Sequence, residues 1–216
     1  FAGSVDKGIR SAKNNSIFLL NSDVKLLDDS YKTAVKKLEK NVFGIAFAQK
    51  ESDGSTVGKN KVFWKNGLLS HSKADDLEEG STGWVEGGSS IISKDIYEKI
   101  GGLDTIFYPF YWEDIDLSYR ARKYGYISWF DPSILVEQHH ESTIGHLWSK
   151  RAISVIATRN QILISWKFMD AKNFLPHIAT LLYQTLLSIF RGNFIFAQGF
   201  VTAIPFLFGT KFYKIR

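Results

Sequence analysis

At 216 residues the chain has room for one domain, or for one domain with an appendage. Hydrophobic residues make up 44% and charged residues 23%, ordinary globular usage that excludes wholesale disorder and collagen-like repeats. The absence of cysteine excludes a disulfide scaffold, a cysteine-type zinc site, an iron–sulfur cluster and thiol catalysis, and it fits a reducing compartment. The net charge of +5 is unevenly spread. Residues 1–142 are slightly acidic, whereas residues 143–216 carry nine Lys and Arg against one acid, Asp170.

Residues 16–20 form a short apolar run that reads as a buried strand, ending in Asn21-Ser22-Asp23. Residues 28–40 read as a surface helix with acids in the first turn and Lys36 and Lys37 late, as the helix dipole prefers. Residues 42–48 are a second buried strand, 49–60 an exposed turn, and 61–65 a short edge strand. Residues 70–83 mix acids, Ser and Gly without periodicity and predict a mobile loop. Residues 84–92 read as strand, Gly87-Gly88, strand. Ser93 caps a helix through Ile100 that Gly101-Gly102 stops. A helix follows over about 114–124, then two strands, 126–130 and 134–136, turned by Asp131-Pro132. After His139-His140, helical patterns run to the end. Strands alternating with helices predict an α/β sheet domain with a helical tail.

From Asn173 to Phe190, and again from Gly192 to Thr210, no residue is formally charged. Three readings are open. A transmembrane helix needs about 20 apolar residues, which these interrupted runs only approach. A pair of core helices is the second. The third, favoured here, is helices lying on an anionic membrane surface with Lys and Arg at phosphates. A nucleic-acid partner is not expected, because the cations flank apolar runs rather than forming a polar basic stripe.

Three polar clusters stand near the ends of apolar segments, where open α/β sheets place ligands. Asp23 after a strand suits a hard divalent cation, or else Asp23 or Asp28 caps the next helix. Glu113-Asp114-Ile115-Asp116 follows an aromatic stretch that includes Tyr111 and Trp112. Carboxylates this close repel one another, and an aromatic wall beside one lifts its pKa towards that of a useful base. The alternative is a solvated acidic helix start. In residues 137–142 one imidazole, His139 or His140, faces a given side of an extended chain and can complete a metal site.

Taken together, these stretches resemble the family 2 inverting glycosyltransferases, especially the rhamnosyltransferase-like branch that builds bacterial surface polysaccharides. The matching segments are Phe1-Ala2-Gly3 through Arg10, Phe18 to Val24, Gly87 to Ser93 and Gly101-Gly102-Leu103-Asp104. They continue with Glu113 to Leu117, Arg120, Gly125, Pro132, the His139 loop, and Arg159-Asn160 with Trp166-Lys167.

The resemblance implies a GT-A type fold, a nucleotide-binding α/β sheet joined to an acceptor-binding half. The expected division is a partial catalytic domain over residues 1–142 and a basic, apolar helical tail over 143–216. Asn21 and Asp23 would hold the donor diphosphate, Asp23 with His139 (or His140) would ligate Mn2+ or Mg2+, and Asp114 would be the general base, with Glu113 beside it. Trp84, Gly87, Gly88, Tyr111, Trp112 and Asp116 are acceptor-side candidates; for Trp84, Tyr111, Trp112 and Asp116 a packing role is the alternative. The implied donor is a dTDP- or UDP-sugar and the acceptor a saccharide or lipid-linked saccharide. The implied location is the cytoplasmic face of the cell membrane, with peripheral contact through the tail. Members of the family begin with a strand–helix–strand segment that supplies base and ribose contacts. Its absence predicts a chain whose N-terminal strands are missing. Two other readings compete: a non-catalytic membrane-associated binding module, and a metal-dependent phosphohydrolase.

Overall fold

The computed structural model describes residues 2–38, 41–138 and 143–208. In chain order they form α1 (Ala2–Ser11), β1 (Ser16–Leu20), β2 (Val24–Leu26), α2 (Tyr31–Lys37), β3 (Val42–Lys50), β4 (Thr56–Val57) and β5 (Asn60–Lys65). Then come β6 (Leu68–Lys73), β7 (Gly80–Ser81), β8 (Ser89–Ser93), α3 (Lys94–Lys99), α4 (Glu113–Lys123) and β9 (Ile127–Gln138). The rest is helical: α5 (Thr143–Leu147), α6 (Lys150–Lys167), α7 (Ala171–Phe190) and α8 (Ile195–Ala203). Two compact units divide the chain: Phe1–Val62, His71–Asp104 and Glu113–Glu141 in the first, and Phe63–Ser70, Thr105–Trp112 and Ser142–Arg216 in the second.

The first unit is an α/β sheet in the order β1-β8-β3-β9-β2, with β4 on β3 and β7 on β9. Strands β3 and β9 run parallel; Ile45 lies beside Trp129 and Ala48 beside Leu135. On the antiparallel side Ile45 opposes Ile91, and Leu20 opposes Ser89. One face packs Phe43 and Ile92 against Ile9, Ile96, Tyr97, Leu117 and Ala121, which brings α1, α3 and α4 onto it. The other face packs Ile45, Phe47, Ile91, Ile134 and Val136 against Ala34 of α2. Helix α1 is tied down through Asp6, which accepts from Arg10 Nε at 2.8 Å and from the Tyr97 hydroxyl at 2.6 Å. That hydroxyl in turn accepts the Leu103 N–H at 3.0 Å, so the stretch at Asp6 and the Gly101-Gly102 turn form one structural unit.

Several sequence expectations hold: a strand at 16–20, a buried strand beginning at Val42, and a Ser93-capped helix whose hydroxyl accepts the Ile96 N–H. Others need correction. The strand at 16–20 is an edge strand and only half-buried. Helix α2 is shorter than residues 28–40, because the Asp28 carboxylate takes the Ser30 N–H at 2.7 Å and folds the acids into a turn ahead of the helix. Within 70–83 the chain finishes β6 and adds β7 to the sheet. Residues 84–88 are not a strand; the Gly83 N–H goes to Asn60 O and the Val85 N–H to Ser118 Oγ, leaving no ladder. The two strands expected around Asp131-Pro132 are the single strand β9. Its parallel partner steps from Asp131 to Leu135 across Phe47/Ala48, a bulge that needs no N–H from Pro132. The Asp131 carboxylate closes that bulge by accepting both the backbone N–H and the hydroxyl of Ser133.

In the second unit α8 packs against both α6 and α7. A Cβ on Gly199 would lie 2.7 Å from Thr158 Cγ2, so glycine permits the α6–α8 approach. The tip between β5 and β6 joins these helices: the Leu69 N–H donates to Ser165 Oγ at 2.9 Å and Gln161 Nε2 donates to Leu69 O at 3.0 Å. No helix among the described residues is long and apolar enough to cross a membrane.

Candidate active site

The irregular segment 84–88 passes over the start of α4 and is held there by side chains rather than by strand pairing. Ser118 takes the Val85 N–H, Arg122 donates to Gly83 O at 2.9 Å, and Ser90 Oγ donates to Glu86 O at 2.6 Å. This arrangement sets Gly87 against Asp114, whose carboxylate accepts the Gly87 and Ile115 backbone N–H groups. It also sets Gly88 against Asn21. The Asn21 N–H donates to Gly88 O at 2.9 Å, and a Cβ on Gly88 would lie 2.5 Å from Asn21 Nδ2. The Gly-Gly pair therefore links the loop after β1 to the head of α4.

Three carboxylates gather there. Asp114 is half-buried, and its pKa is pushed from 3.8 up to about 7 by burial first, then by the negative charges of Glu113 and Glu86. The helix N-terminus and two N–H donors favour the charged form, but desolvation and repulsion outweigh them. Burial also raises Glu113, whose Oε2 has no hydrogen-bond partner among the described residues, and Glu86. Glu86 is held by Asn60 Nδ2 at 2.9 Å and by Gln49. A cavity of about 20 Å³, room for one water, has Glu113, Asp114 and Gly87 in an otherwise apolar wall. With its pKa at about 7, Asp114 can take up a proton near neutral pH.

The remaining candidates separate. Asp116 is fully buried and paired with Arg120 at 2.8 Å, and Arg120 also donates to Ile100 O and Gly102 O. This pair ties α4 to the Gly101-Gly102 turn, which is the packing role rather than the acceptor one. Trp84 is buried edge-on to His71, and Trp112 is buried as well. Tyr111 is exposed. In the second unit Asn160, wholly buried on α6, donates from Nδ2 to the carbonyls of Phe107, Phe110 and Tyr111, each at 2.9 Å. Arg159 braces Asn160 Oδ1 and donates to Tyr108 O. Tyr111 and Trp112 both have positive φ, 71° and 78°, costly for side-chain-bearing residues and maintained here by that clamp.

Asp23 lies half-buried in the turn between β1 and β2. His139 and His140 lie outside the described residues. Among the described residues no group of three or more His, Asp or Glu converges on a cation position. Of the ligands expected for Mn2+ or Mg2+, the described residues include Asp23 alone. Sequence reasoning missed Glu86 and the clamp formed by Asn160. An acid directly before Gly87-Gly88 was the available signal for the first; a buried Asn on an apolar helix was the signal for the second.

No family model matches the chain. An N-acetylglucosaminyl-diphospho-decaprenol L-rhamnosyltransferase of Mycobacterium tuberculosis is 30% identical over 86 residues. That match covers 38% of this chain and 28% of the relative, so the chain spans well under half of the curated protein's length. Among solved structures, GalNAc-T7 with UDP, GalNAc and Mn2+ superposes with a TM-score of 0.59 at 13% identity, covering 79% of this chain and 35% of that one. A mannosyltransferase of Pyrobaculum calidifontis in complex with GDP-Man and Mn2+ has a TM-score of 0.48 at 11% identity, over 98% and 55%. The fold is a mixed α/β arrangement of GT-A type with a helical C-terminal region.

Proposed function

We propose that the chain is a glycosyltransferase module that transfers a sugar from a nucleotide-sugar donor to a saccharide or lipid-linked hydroxyl acceptor, with inversion at the anomeric carbon. The observation that carries this reading is Asp114: half-buried, held by the Gly87 N–H, and poised to change charge at about pH 7. The rhamnosyltransferase match and the GT-A type fold support the reaction class.

In this proposal the acceptor oxygen bonds to the anomeric carbon as the carbon–oxygen bond to the diphosphate breaks. Asp114 takes the acceptor proton, and the leaving diphosphate departs with the bonding pair. Glu113 and Glu86 keep Asp114 basic enough to do so. Asn21, fixed against Gly88, and Asp23 in the following turn are the candidate donor-side residues. Asp23 is the candidate protein ligand for Mn2+ or Mg2+, a cation that would stabilise charge on the leaving diphosphate when bound.

The test is release of nucleotide from a panel of dTDP-, UDP- and GDP-sugars, with and without Mn2+ or Mg2+ and with saccharide and lipid-linked acceptors. The expected result is acceptor-stimulated release of one nucleotide, lost in Asp114→Asn and weakened in Asp23→Ala. Release that needs no acceptor and survives Asp114→Asn would favour a hydrolase. No nucleotide binding by folded protein would leave a non-catalytic module.

A further inference from the structure

Helix α7 is built the opposite way round from a surface helix of a water-soluble bundle, which turns its apolar stripe inward. Its buried positions are Asn173, His177, Leu181 and Ser188, three of the four polar. Each polar side chain there has an internal partner. Asn173 Nδ2 donates to Asp170 Oδ1 at 2.6 Å, and Ser188 Oγ donates to Thr185 O at 3.0 Å. His177 accepts from Trp166 Nε1 at 2.8 Å, and its Nδ1 lies 2.8 Å from Gly67 O. The opposite face carries Leu175, Ile178, Leu182, Leu186 and Ile189 at helical spacing, running on to Phe190. These side chains are bare: Leu175 is 75% exposed, Leu182 60%, Leu186 67% and Phe190 91%. A continuous apolar face of this kind marks a contact surface.

Charge identifies what covers it. No residue from Asn173 to Phe190 is formally charged, and Lys172 and Arg191 bracket the stretch. Between Thr143 and Arg216 there are nine Lys and Arg and one acid. A second copy of this chain would bring two such cationic surfaces together, which costs binding energy. An anionic bilayer surface supplies both what the face lacks and what its rim attracts.

We infer that α7 is an interfacial helix that lies in the plane of an anionic lipid surface, with Leu175, Leu182 and Leu186 in the acyl boundary and Lys172 and Arg191 at headgroup phosphates. This goes beyond the proposed reaction and stands whether or not the first unit transfers a sugar.

Flotation of the full chain with vesicles tests it, comparing phosphatidylcholine alone with phosphatidylcholine mixed with phosphatidylglycerol. The chain floats with the anionic vesicles and loses that association as salt is raised. Leu182→Glu with Leu186→Glu lowers association by about tenfold or more, with the circular dichroism and melting temperature kept because both side chains are exposed. Lys172→Glu with Arg191→Glu brings binding down to the phosphatidylcholine level. A label guards against a folding artefact, since the chain has no other cysteine. An environment-sensitive dye on Leu186→Cys shifts to the blue on anionic vesicles, and the same dye on exposed Ser55→Cys does not. Failure of the native chain to float, equal flotation of the Leu182→Glu, Leu186→Glu variant, or a dye shift at position 186 that follows protein concentration without lipid would each overturn the inference. The last result would assign the face to self-association.

Discussion

Helices α4 and α7 both break the rule that helices bury apolar residues and expose polar ones, and they break it differently. Helix α4 buries charge: Glu113, Asp116 and Arg120 lie inside, together with Ile115 and Leu117. Helix α7 buries neutral polar groups and leaves leucines bare. The useful distinction is whether each breach is answered within the chain. Asp116 and Arg120 answer one another, and so do His177 and Trp166; these are structure. The Glu113 carboxylate oxygen and the outward leucines of α7 have no such answer among the described residues. Under the two proposals above, the first lies beside the base Asp114 and the second meets lipid.

The largest effect is expected beside the unanswered breach on α4, at Asp114. Asp114→Asn lowers acceptor-dependent transfer by about 10²–10⁴-fold, the usual contribution of a positioned base, while leaving nucleotide affinity in place. The same variant melts at a higher temperature. Between the ordinary aspartate pKa of 3.8 and about 7 the folded chain keeps a proton that the unfolded chain has released. Stability therefore falls as pH rises through that window, and Asn removes the loss. In native protein kcat/KM climbs with pH through about 7 as Asp114 loses its proton. Thermal scans and a rate profile across pH check both signs.

Next comes the answered breach on the same helix. Asp116→Ala leaves Arg120 buried without its counter-charge and costs about 3–5 kcal/mol, measured by urea denaturation. Equal loss of activity and fold there, against loss of activity alone at position 114, would sharpen the contrast between the two acids.

On α7 the answered breach is His177. Its ring is neutral, its Nε2 accepting from Trp166, and burial holds its pKa below 6.5. The unfolded chain binds the proton first as pH falls, so the stability His177 contributes is whole above about 6.5 and is lost below it. His177→Ala strands the Trp166 N–H and costs about 1–3 kcal/mol, and it flattens the acid limb of the stability profile.

The smallest change in stability is expected at Gly88→Ala. The new methyl displaces only the exposed end of Asn21, so the melting temperature holds while donor KM rises. An unchanged KM would remove Asn21 from the donor side.

Much of this was legible in the residues because its causes are local. The Ser93 cap, the buried strand at Val42 and the acidic head of α4 follow from spacing and side-chain type. What was not legible depends on partners far along the chain. Pro132 reads as a strand break until β3 supplies the bulge that accommodates it, and residues 84–88 read as a strand until Ser118 takes the Val85 N–H. Glu86 is marked in the sequence only by its place before Gly87-Gly88, and the fold brings its charge to Asp114. Asp114 is lifted by burial and then by Glu113 and Glu86, and the second of these carboxylates is remote in the chain. In α7 the uncharged run was visible, but which face of it turns outward depends on Gly67 and Trp166.

The reaction proposed for the first unit turns on Asp114 as a base of neutral-range pKa at the head of α4. The most direct measurement is the pH titration of its side-chain carboxyl by ¹³C NMR, with Asp114→Asn identifying the resonance. A midpoint at about 7, moving down when Glu113→Gln removes the neighbouring charge, is the predicted result. A midpoint close to the ordinary 3.8, unmoved by that substitution, would contradict the claim.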